Sequence, residues 1–226
     1  MTRQIVLDTE TTGLDPALGH RVIEIGALEI VNRQACGATY HVYLNPDREI
    51  DAGAVAVHGL THEFLADKPR FADIAQDFLE FVRGAELVIH NAPFDVGFLN
   101  AELARLDEGP VKRHCTVLDT LKLAKEMHPG QKNNLDALCR RYEVDNSGRA
   151  FHGALLDAQL LAEVYLAMTR GQESLGIDIA TPAQTQAATL VRRGPLTVLR
   201  ADAAENAAHA AYLVGLAKEC AEVLPW

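Results

Sequence analysis

The feature that most constrains the fold of this chain is a short apolar run that ends in two acidic residues. The run Ile5–Leu7 is followed directly by Asp8 and, two residues later, by Glu10. An apolar run of this length and composition is consistent with a buried strand, and residues two apart in a strand point to the same face. Because ligand sites form at the strand ends of α/β sheets, the pair predicts a functional site at one edge of a sheet.

The periodicity of the following residues predicts an α/β domain with a mixed sheet flanked by helices. Three strands that can form a meander come first, and strands then alternate with helices. A turn-like segment at 32–34 separates the second and third strands. The further strand patterns lie at 22–31, 39–44, 87–90 and 117–118, and the helical patterns at 71–82, 93–103, 120–127, 135–142 and 153–168.

The composition changes after about residue 169, which predicts a tail outside the α/β domain. Residues 171–188 are rich in Gly, Ala, Thr and Gln and lack a sustained apolar period, which is typical of a flexible linker. An apolar element returns at 196–199, and an alanine-rich amphipathic segment covers 203–218. We therefore predict a catalytic domain over 1–170, a linker over 171–190 and a small C-terminal segment over 191–226.

The charge and the cysteines exclude several classes of protein. A formal net charge of −10 argues against a protein that holds duplex DNA along a long basic face, although bound divalent cations let an acidic enzyme bind nucleic acid locally. The four cysteines form no CxxC pair, which argues against a structural zinc site or a disulfide framework. Since we find no signal-peptide pattern and no apolar stretch of the ~20 residues that cross a bilayer, we expect a cytoplasmic protein without a membrane partner.

Two further acids and one histidine occupy positions that can face the same edge. Asp95 follows the strand pattern at 87–90, and Asp157 lies near the start of the last helical pattern. On a continuous helix, His152 would lie roughly 140° around the axis from Asp157, but a loop at Gly153 lets it fold back over that carboxylate. Each residue alone also fits an ordinary role, Asp95 as a first-turn acid that favours the helix dipole and His152 as a surface histidine.

Together these residues predict a metal-dependent phosphodiesterase. Carboxylates placed within apolar elements are costly unless satisfied, and clustered carboxylates repel one another unless cations lie between them. Oxygen ligands suit Mg²⁺ or Mn²⁺, and two such ions about 3.5–4 Å apart stabilise both the attacking and the leaving oxygen of a phosphodiester. A nearby histidine, with a free pKa of about 6.5, can take the proton from the attacking water.

The motifs DTE at 8–10, NAPFD at 91–95 and HGALLD at 152–157 resemble the three ordered motifs of the histidine branch of the DEDD superfamily of 3′→5′ exonucleases. The resemblance covers essentially the whole chain and implies a ribonuclease H-like fold. It implies an enzyme that releases 5′-mononucleotides from a single-stranded or frayed DNA 3′ end. The residues implied to hold two Mg²⁺ or Mn²⁺ ions are Asp8, Glu10, Asp95 and Asp157, with His152 as the general base.

The resemblance also implies contacts with the substrate. Thr11 and Gly13 lie in the turn where the terminal nucleotide approaches. The segment HGLT at 58–61 resembles the wedge segment of the family near that nucleotide, which places His58 beside the pocket.

Within the superfamily, the proofreading exonucleases of bacterial replicative polymerases have a comparable tail. This likeness implies that the C-terminal segment binds a polymerase subunit. Residues 172–177 resemble a clamp-binding hexapeptide through Gln172, Leu175 and Ile177, and an ordinary linker is the alternative. Two alternatives stay open: a stand-alone exoribonuclease, because no motif reads the 2′-hydroxyl, and a structural bridge between polymerase and clamp. The tail favours the proofreading enzyme over the exoribonuclease, and the five motif residues argue against a purely structural role.

Overall fold

A computed structural model describes residues 3–148, 151–170 and 201–219. The described residues divide into two units, which are described separately: a large one that ends at residue 170 and a small one over 201–219. The predicted boundary at 170–171 lies at the edge of the described residues, and the one at 190–191 lies outside them. Both stay predictions. The other predictions that lie outside the described residues concern Gln172, Leu175, Ile177 and the element at 196–199.

The large unit is built on a five-stranded mixed sheet, as the strand patterns predict. The strand order is β3-β2-β1-β4-β5. β1 pairs antiparallel with β2, and β2 pairs antiparallel with β3, whereas β4 and β5 run parallel to β1. The strands are β1 (Arg3–Thr11), β2 (Val22–Val31), β3 (Gln34–Tyr43), β4 (Glu86–Ile89) and β5 (Thr116–Asp119).

Helices cover both faces of this sheet, and one apolar cluster fills each side. In β1, Ile5 and Leu7 belong to the first cluster and Val6 to the second, since neighbouring side chains of a strand point to opposite faces. The first cluster includes Phe71, Phe78 and Phe98, and the second is built largely on the last helix of the unit. The helices are α1 (Ala52–His58), α2 (His62–Leu65), α3 (Phe71–Val82), α4 (Ala92–Ala104), α5 (Thr120–Met127), α6 (Leu135–Tyr142) and α7 (Ala154–Met168).

The turn between β2 and β3 is shorter than the predicted segment at 32–34. Asn32 and Arg33 both have positive φ angles, of 50° and 64°, and they form a two-residue hairpin turn that suits the twist of the strands. Gln34 pairs with Val31 and already belongs to β3. The prediction placed the start of β3 five residues too late, because the small residues that follow Gln34 lack the branched side chains typical of strands.

The helical patterns predict some bounds to the residue and miss two helices. α3, α5 and α6 begin and end as predicted, and α7 begins one residue late because Gly153 is its N-cap. α1 and α2 were not predicted. α1 is seven residues long, and its N-cap side chain makes no capping hydrogen bond, so neither length nor capping marks it in the sequence.

The backbone of helix α7 lies very close to the backbone of β2 at a glycine of that strand. A Cβ atom added to Gly26 would lie 2.1 Å from the backbone nitrogen of Leu155 and 2.2 Å from the carbonyl carbon of Ala154. Gly26 is also the residue that pairs with Asp8 across the β1–β2 ladder. The first turn of α7 is therefore held directly beside the acidic end of β1.

The small unit consists of one helix, α8 (Ala203–Glu219), where the alanine-rich pattern predicts one. Asp202 caps it, since its Oδ1 accepts from the backbone N–H groups of Ala204 and Glu205, both at 2.8 Å. Glu205 Oε2 in turn accepts from the Asp202 backbone at 3.0 Å, which completes a capping box. No helix among the described residues is both long enough and apolar enough to cross a bilayer.

Candidate active site

The C-terminal half of β1 supplies polar side chains to both faces of the sheet. Asp8 and Glu10 line one cavity of about 320 Å³. Thr9, which lies between them, is buried, and its hydroxyl donates a 2.6 Å hydrogen bond to Asp95 Oδ1. The alternation of the strand thus directs two carboxylates to one point and uses the intervening threonine to hold a third.

Asp95 lies in the first turn of α4 and is almost fully buried. The helix starts after Asn91, whose φ and ψ of 64° and 48° are left-handed and whose N–H donates to Asp119 Oδ1 at 3.2 Å. Burial raises the pKa of Asp95 to about 7, and the hydrogen bond from Thr9 opposes this rise. Since a buried carboxylate without a cation is costly, this position favours either a proton or a metal ion on Asp95.

Replacement of Asp95 by asparagine should stabilise the metal-free protein at pH 8. The folded carboxyl titrates near 7 and the unfolded one near 3.8, so between these values only the folded state holds the proton. The free energy of unfolding of wild type therefore falls as pH rises through this window. We expect Asp95→Asn to melt at a higher temperature than wild type at pH 8 in EDTA, with a smaller difference at pH 5.

The control for this prediction is Glu80→Gln, which neutralises an exposed carboxylate on α3. We expect it to change the melting temperature equally little at both pH values. A melting temperature of Asp95→Asn at or below that of wild type at pH 8 would contradict the prediction.

His152 and Asp157 meet because the chain is extended just before α7. Gly153, the N-cap, has φ −147° and ψ 128°, and its carbonyl accepts from the Asp157 N–H at 2.8 Å. His152 lies in the preceding loop, with Nδ1 3.3 Å from Asp157 Oδ2. The Asp157 carboxylate is buried, whereas the imidazole is half-exposed. Solvent therefore reaches the His152 ring but not the Asp157 carboxylate.

The five motif residues line the same cavity between β1, α4 and α7. Ligand atoms of Glu10, His152 and Asp157 all lie within 4.8 Å of one another, which is close enough for one ion to be bound between them. Asp8 and Asp95 add two further carboxylates to the lining. The donor set is mainly oxygen, so it fits a divalent metal such as Mg²⁺ or Mn²⁺.

A second pocket, of about 480 Å³ and mainly apolar, adjoins the first, with which it shares Thr9, Glu10 and Phe94. Three residues with predicted substrate contacts line it: Thr11, Gly13 and His58. The apolar part of the lining includes Val57 and Leu14, whose side chain is 84% exposed. The first cavity suits a charged group, and the apolar pocket beside it suits a flat apolar group.

Local contacts hold the walls of the second pocket. Thr11 Oγ1 donates to the Gly13 carbonyl at 2.6 Å. The His20 ring packs against Gly13 so closely that an added Cβ would lie 2.3 Å from it. His58 Nδ1 accepts from the Leu60 N–H at 3.0 Å, and burial lowers the pKa of His58.

Sequence reasoning missed several residues of the first cavity. Asn134 caps α6, and Asp136 accepts a 3.2 Å hydrogen bond from Asn146 Nδ2. His90 directly follows β4, with its Nδ1 3.0 Å from Thr120 Oγ1, and burial lowers its pKa. Polar residues at the start of a helical pattern were the available signal for Asn134 and Asp136. Nothing in the sequence marked His90 as part of a site.

The chain is similar in sequence to known proteins. The sequence profile of the exonuclease family matches residues 5–165. The DNA polymerase III subunit epsilon of Escherichia coli K12 is 52% identical over 225 residues, which cover 94% of this chain and 93% of that protein. The protein of the same name from Haemophilus influenzae is 56% identical over 179 residues, with coverage of 76% and 70%.

Solved structures share the fold of the large unit. Exonuclease X, in a complex with 5′-overhanging duplex DNA, superposes with a TM-score of 0.59 at 26% identity, over 74% of this chain and 90% of that one. Exonuclease I of Escherichia coli, in a zinc-bound complex with single-stranded DNA, gives a TM-score of 0.67 at 20% identity, over 76% and 41%. The second likeness shows the fold alone.

Proposed function

Since the chain belongs to the exonuclease family, we propose that it is a 3′→5′ DNA exonuclease of the polymerase III epsilon type, which removes mispaired nucleotides as 5′-monophosphates. The observation that carries this proposal is the meeting of five residues, from β1, α4 and the start of α7, around one cavity. Relatives that share more than half of their residues with this chain carry the epsilon name. Exonuclease X supports the choice of DNA, because it was solved with a DNA duplex.

The chemistry requires divalent cations, which Asp8, Glu10, Asp95 and Asp157 would hold. A bound pair of such ions would activate water and would stabilise the attacking and the leaving oxygen of the phosphodiester. The chain itself contributes the orientation of the carboxylates, through the β1 ladder, the Thr9 hydrogen bond and the close approach of α7. Mg²⁺ and Mn²⁺ both suit such oxygen ligands.

His152 would act as the general base. Its ring lies against the Asp157 carboxylate and remains half-exposed at the mouth of the cavity. An imidazole that is oriented by a carboxylate can take a proton from water and pass it to solvent. This assignment places the proton on a side chain next to the metal ligands.

The apolar pocket would receive the terminal nucleoside. Its lining, with Leu14, Val57 and Phe94, offers flat and aliphatic surface to a base, and stacking tolerates all four bases. With a net charge of −10, the chain would bind only a few nucleotides on its own, and a partner would deliver the rest of the DNA.

A primer assay separates DNA proofreading from RNA trimming. The protein is incubated with a 3′-labelled DNA primer that carries a terminal mismatch, with Mg²⁺ or with EDTA, and with an RNA strand of the same sequence in parallel. We expect metal-dependent release of labelled mononucleotides from DNA. Much faster release from RNA would replace the proposal by an exoribonuclease, and release from neither strand would leave the structural bridge between polymerase and clamp.

The second unit would bind the polymerase, and the segment over 172–177 the sliding clamp. Tyr212 and Val214 on α8 are exposed apolar side chains, and aromatic residues of this kind are favoured at interfaces. The Escherichia coli relative, which covers 94% of this chain, carries the name of a polymerase subunit. The cytoplasmic location stays a prediction.

Removal of residues 171–226 should abolish co-elution with the polymerase subunit and leave the exonuclease rate within about twofold, since every site residue precedes the cut. Tyr212→Glu should weaken co-elution in the full chain, because a charge opposes apolar contact. The exposed Glu205 lies in the first turn of the same helix, and Glu205→Gln is the matched control. If the chain without residues 171–226 co-eluted with the polymerase subunit as fully as the whole chain, the tail would be excluded as the binding segment.

A further inference from the structure

The loop before α7 is attached to the end of α1 by its backbone. The His152 N–H donates a 3.1 Å hydrogen bond to the carbonyl oxygen of Val57. Val57 is in the last turn of α1 and also lines the apolar pocket. The backbone of His152, the residue that would act as the base, is therefore held by a hydrogen bond to the helix that lines the apolar pocket.

The neighbouring side chain makes a second contact with the same helix end. The Phe151 ring covers Gly59 so closely that an added Cβ would lie 3.3 Å from its Cγ and Cδ1 atoms. Gly59 has a left-handed φ of 73° and closes α1 through a 2.8 Å hydrogen bond to the Val55 carbonyl. A glycine at this point presents bare backbone, which gives the ring a flat surface to pack on.

Phe151 is nevertheless 58% exposed. A large apolar side chain left exposed beside a site contributes little to folding, because little of its area is removed from water. Its packing on Gly59 instead restricts the loop at the residue before His152. Two contacts, one from the backbone and one from the ring, thus fix His152 relative to α1.

We propose that Phe151 and Gly59 are positioning residues, which hold His152 over the scissile phosphate by clamping its loop to the pocket-lining helix α1. The inference deepens the proposed function and rests on it. One helix end then serves two tasks, since Val57 and His58 border the terminal nucleoside and Val57 and Gly59 hold the loop of the base. A displacement of about 1 Å in such a group lowers rates by up to about a hundredfold.

Phe151→Ala in the full chain tests the clamp. We expect kcat to fall between about tenfold and a hundredfold, KM for the primer to change by less than about threefold, and the Mn²⁺-induced rise in melting temperature to stay as in wild type. Phe151→Tyr keeps the ring and should restore most of the rate. A rise in KM with unchanged kcat would overturn the proposal, because it would mean that the ring binds DNA instead.

A pair of glycine variants separates the clamp from backbone strain. Gly59 and Gly84 have nearly equal left-handed φ angles, 73° and 70°, but an added Cβ at Gly84 meets nothing within 4 Å. Gly59→Ala and Gly84→Ala should therefore lower the melting temperature to a similar extent, while only Gly59→Ala lowers kcat. If Gly59→Ala, Gly84→Ala and Phe151→Ala all kept the kcat of an active wild type, the clamp would be rejected and the proposed function would stand. An inactive wild type would reject the proposed function.

Discussion

Asp8→Ala is expected to lower the rate of nucleotide release by at least about a thousandfold. Asp8 is the first acid of β1 and lines the cavity with the other four motif residues. Loss of a metal ligand at such a site removes several kcal/mol of transition-state stabilisation, and each 1.36 kcal/mol is a factor of ten in rate. Release of labelled mononucleotide in Mg²⁺, measured against wild type, checks this expectation.

The fold should survive this substitution. Asp8 pairs with Gly26 across the ladder through backbone groups, and this pairing does not involve its side chain. Without the carboxylate, the remaining acids repel one another less, and the metal-free variant should melt no lower than wild type. Asp77→Ala, which removes an exposed acid from α3, is the control and should keep the full rate. A variant at position 8 with more than a tenth of wild-type activity would remove Asp8 from the metal site.

His152→Ala is expected to lower kcat between about a hundredfold and ten-thousandfold, the range for loss of a general base. The Mn²⁺-induced rise in melting temperature, which reports binding to the folded state, should persist in this variant. Asp157→Ala should lose most of that rise, because its buried carboxylate is assigned as a ligand. The two measurements together distinguish a base from a ligand.

The geometry makes this distinction a demanding one. A ligand atom of His152 lies within 4.8 Å of those of Glu10 and Asp157, so the ring is close enough to bind an ion itself. If His152→Ala lost the Mn²⁺ response as fully as Asp157→Ala, the histidine would be a ligand and the base would have to be sought elsewhere. His62→Ala, at an exposed histidine of α2, should change neither measurement.

The sequence predicts those parts of the fold whose signal is local. Apolar spacing alone predicts the bounds of β2, α3, α5 and α6, because each buries one face or both over eight or more residues. Helix α1 escapes this reasoning, since it is short and lacks a capping hydrogen bond. Its position matters more than its pattern, because it forms one wall of the apolar pocket.

For the candidate site, motif spacing indicates which residues meet and says little about how they are held. Strand alternation after Ile5–Leu7 anticipates that two carboxylates share a face. The bond from Thr9 to Asp95 joins residues 86 positions apart, and no local pattern encodes such a contact. The packing of Phe151 on Gly59 is equally remote in sequence. Contacts of this kind depend on the completed fold.

Gly26 shows what this dependence means for inheritance. The position carries no acid, base or substrate contact, yet α7 passes so close that any side chain would force the first turn of the helix away from Asp8. A screen for mutator alleles would therefore find position 26 beside the motif acids, although chemistry alone would never nominate it. For such an enzyme, replication fidelity depends on the absence of a side chain at position 26 as well as on its carboxylates.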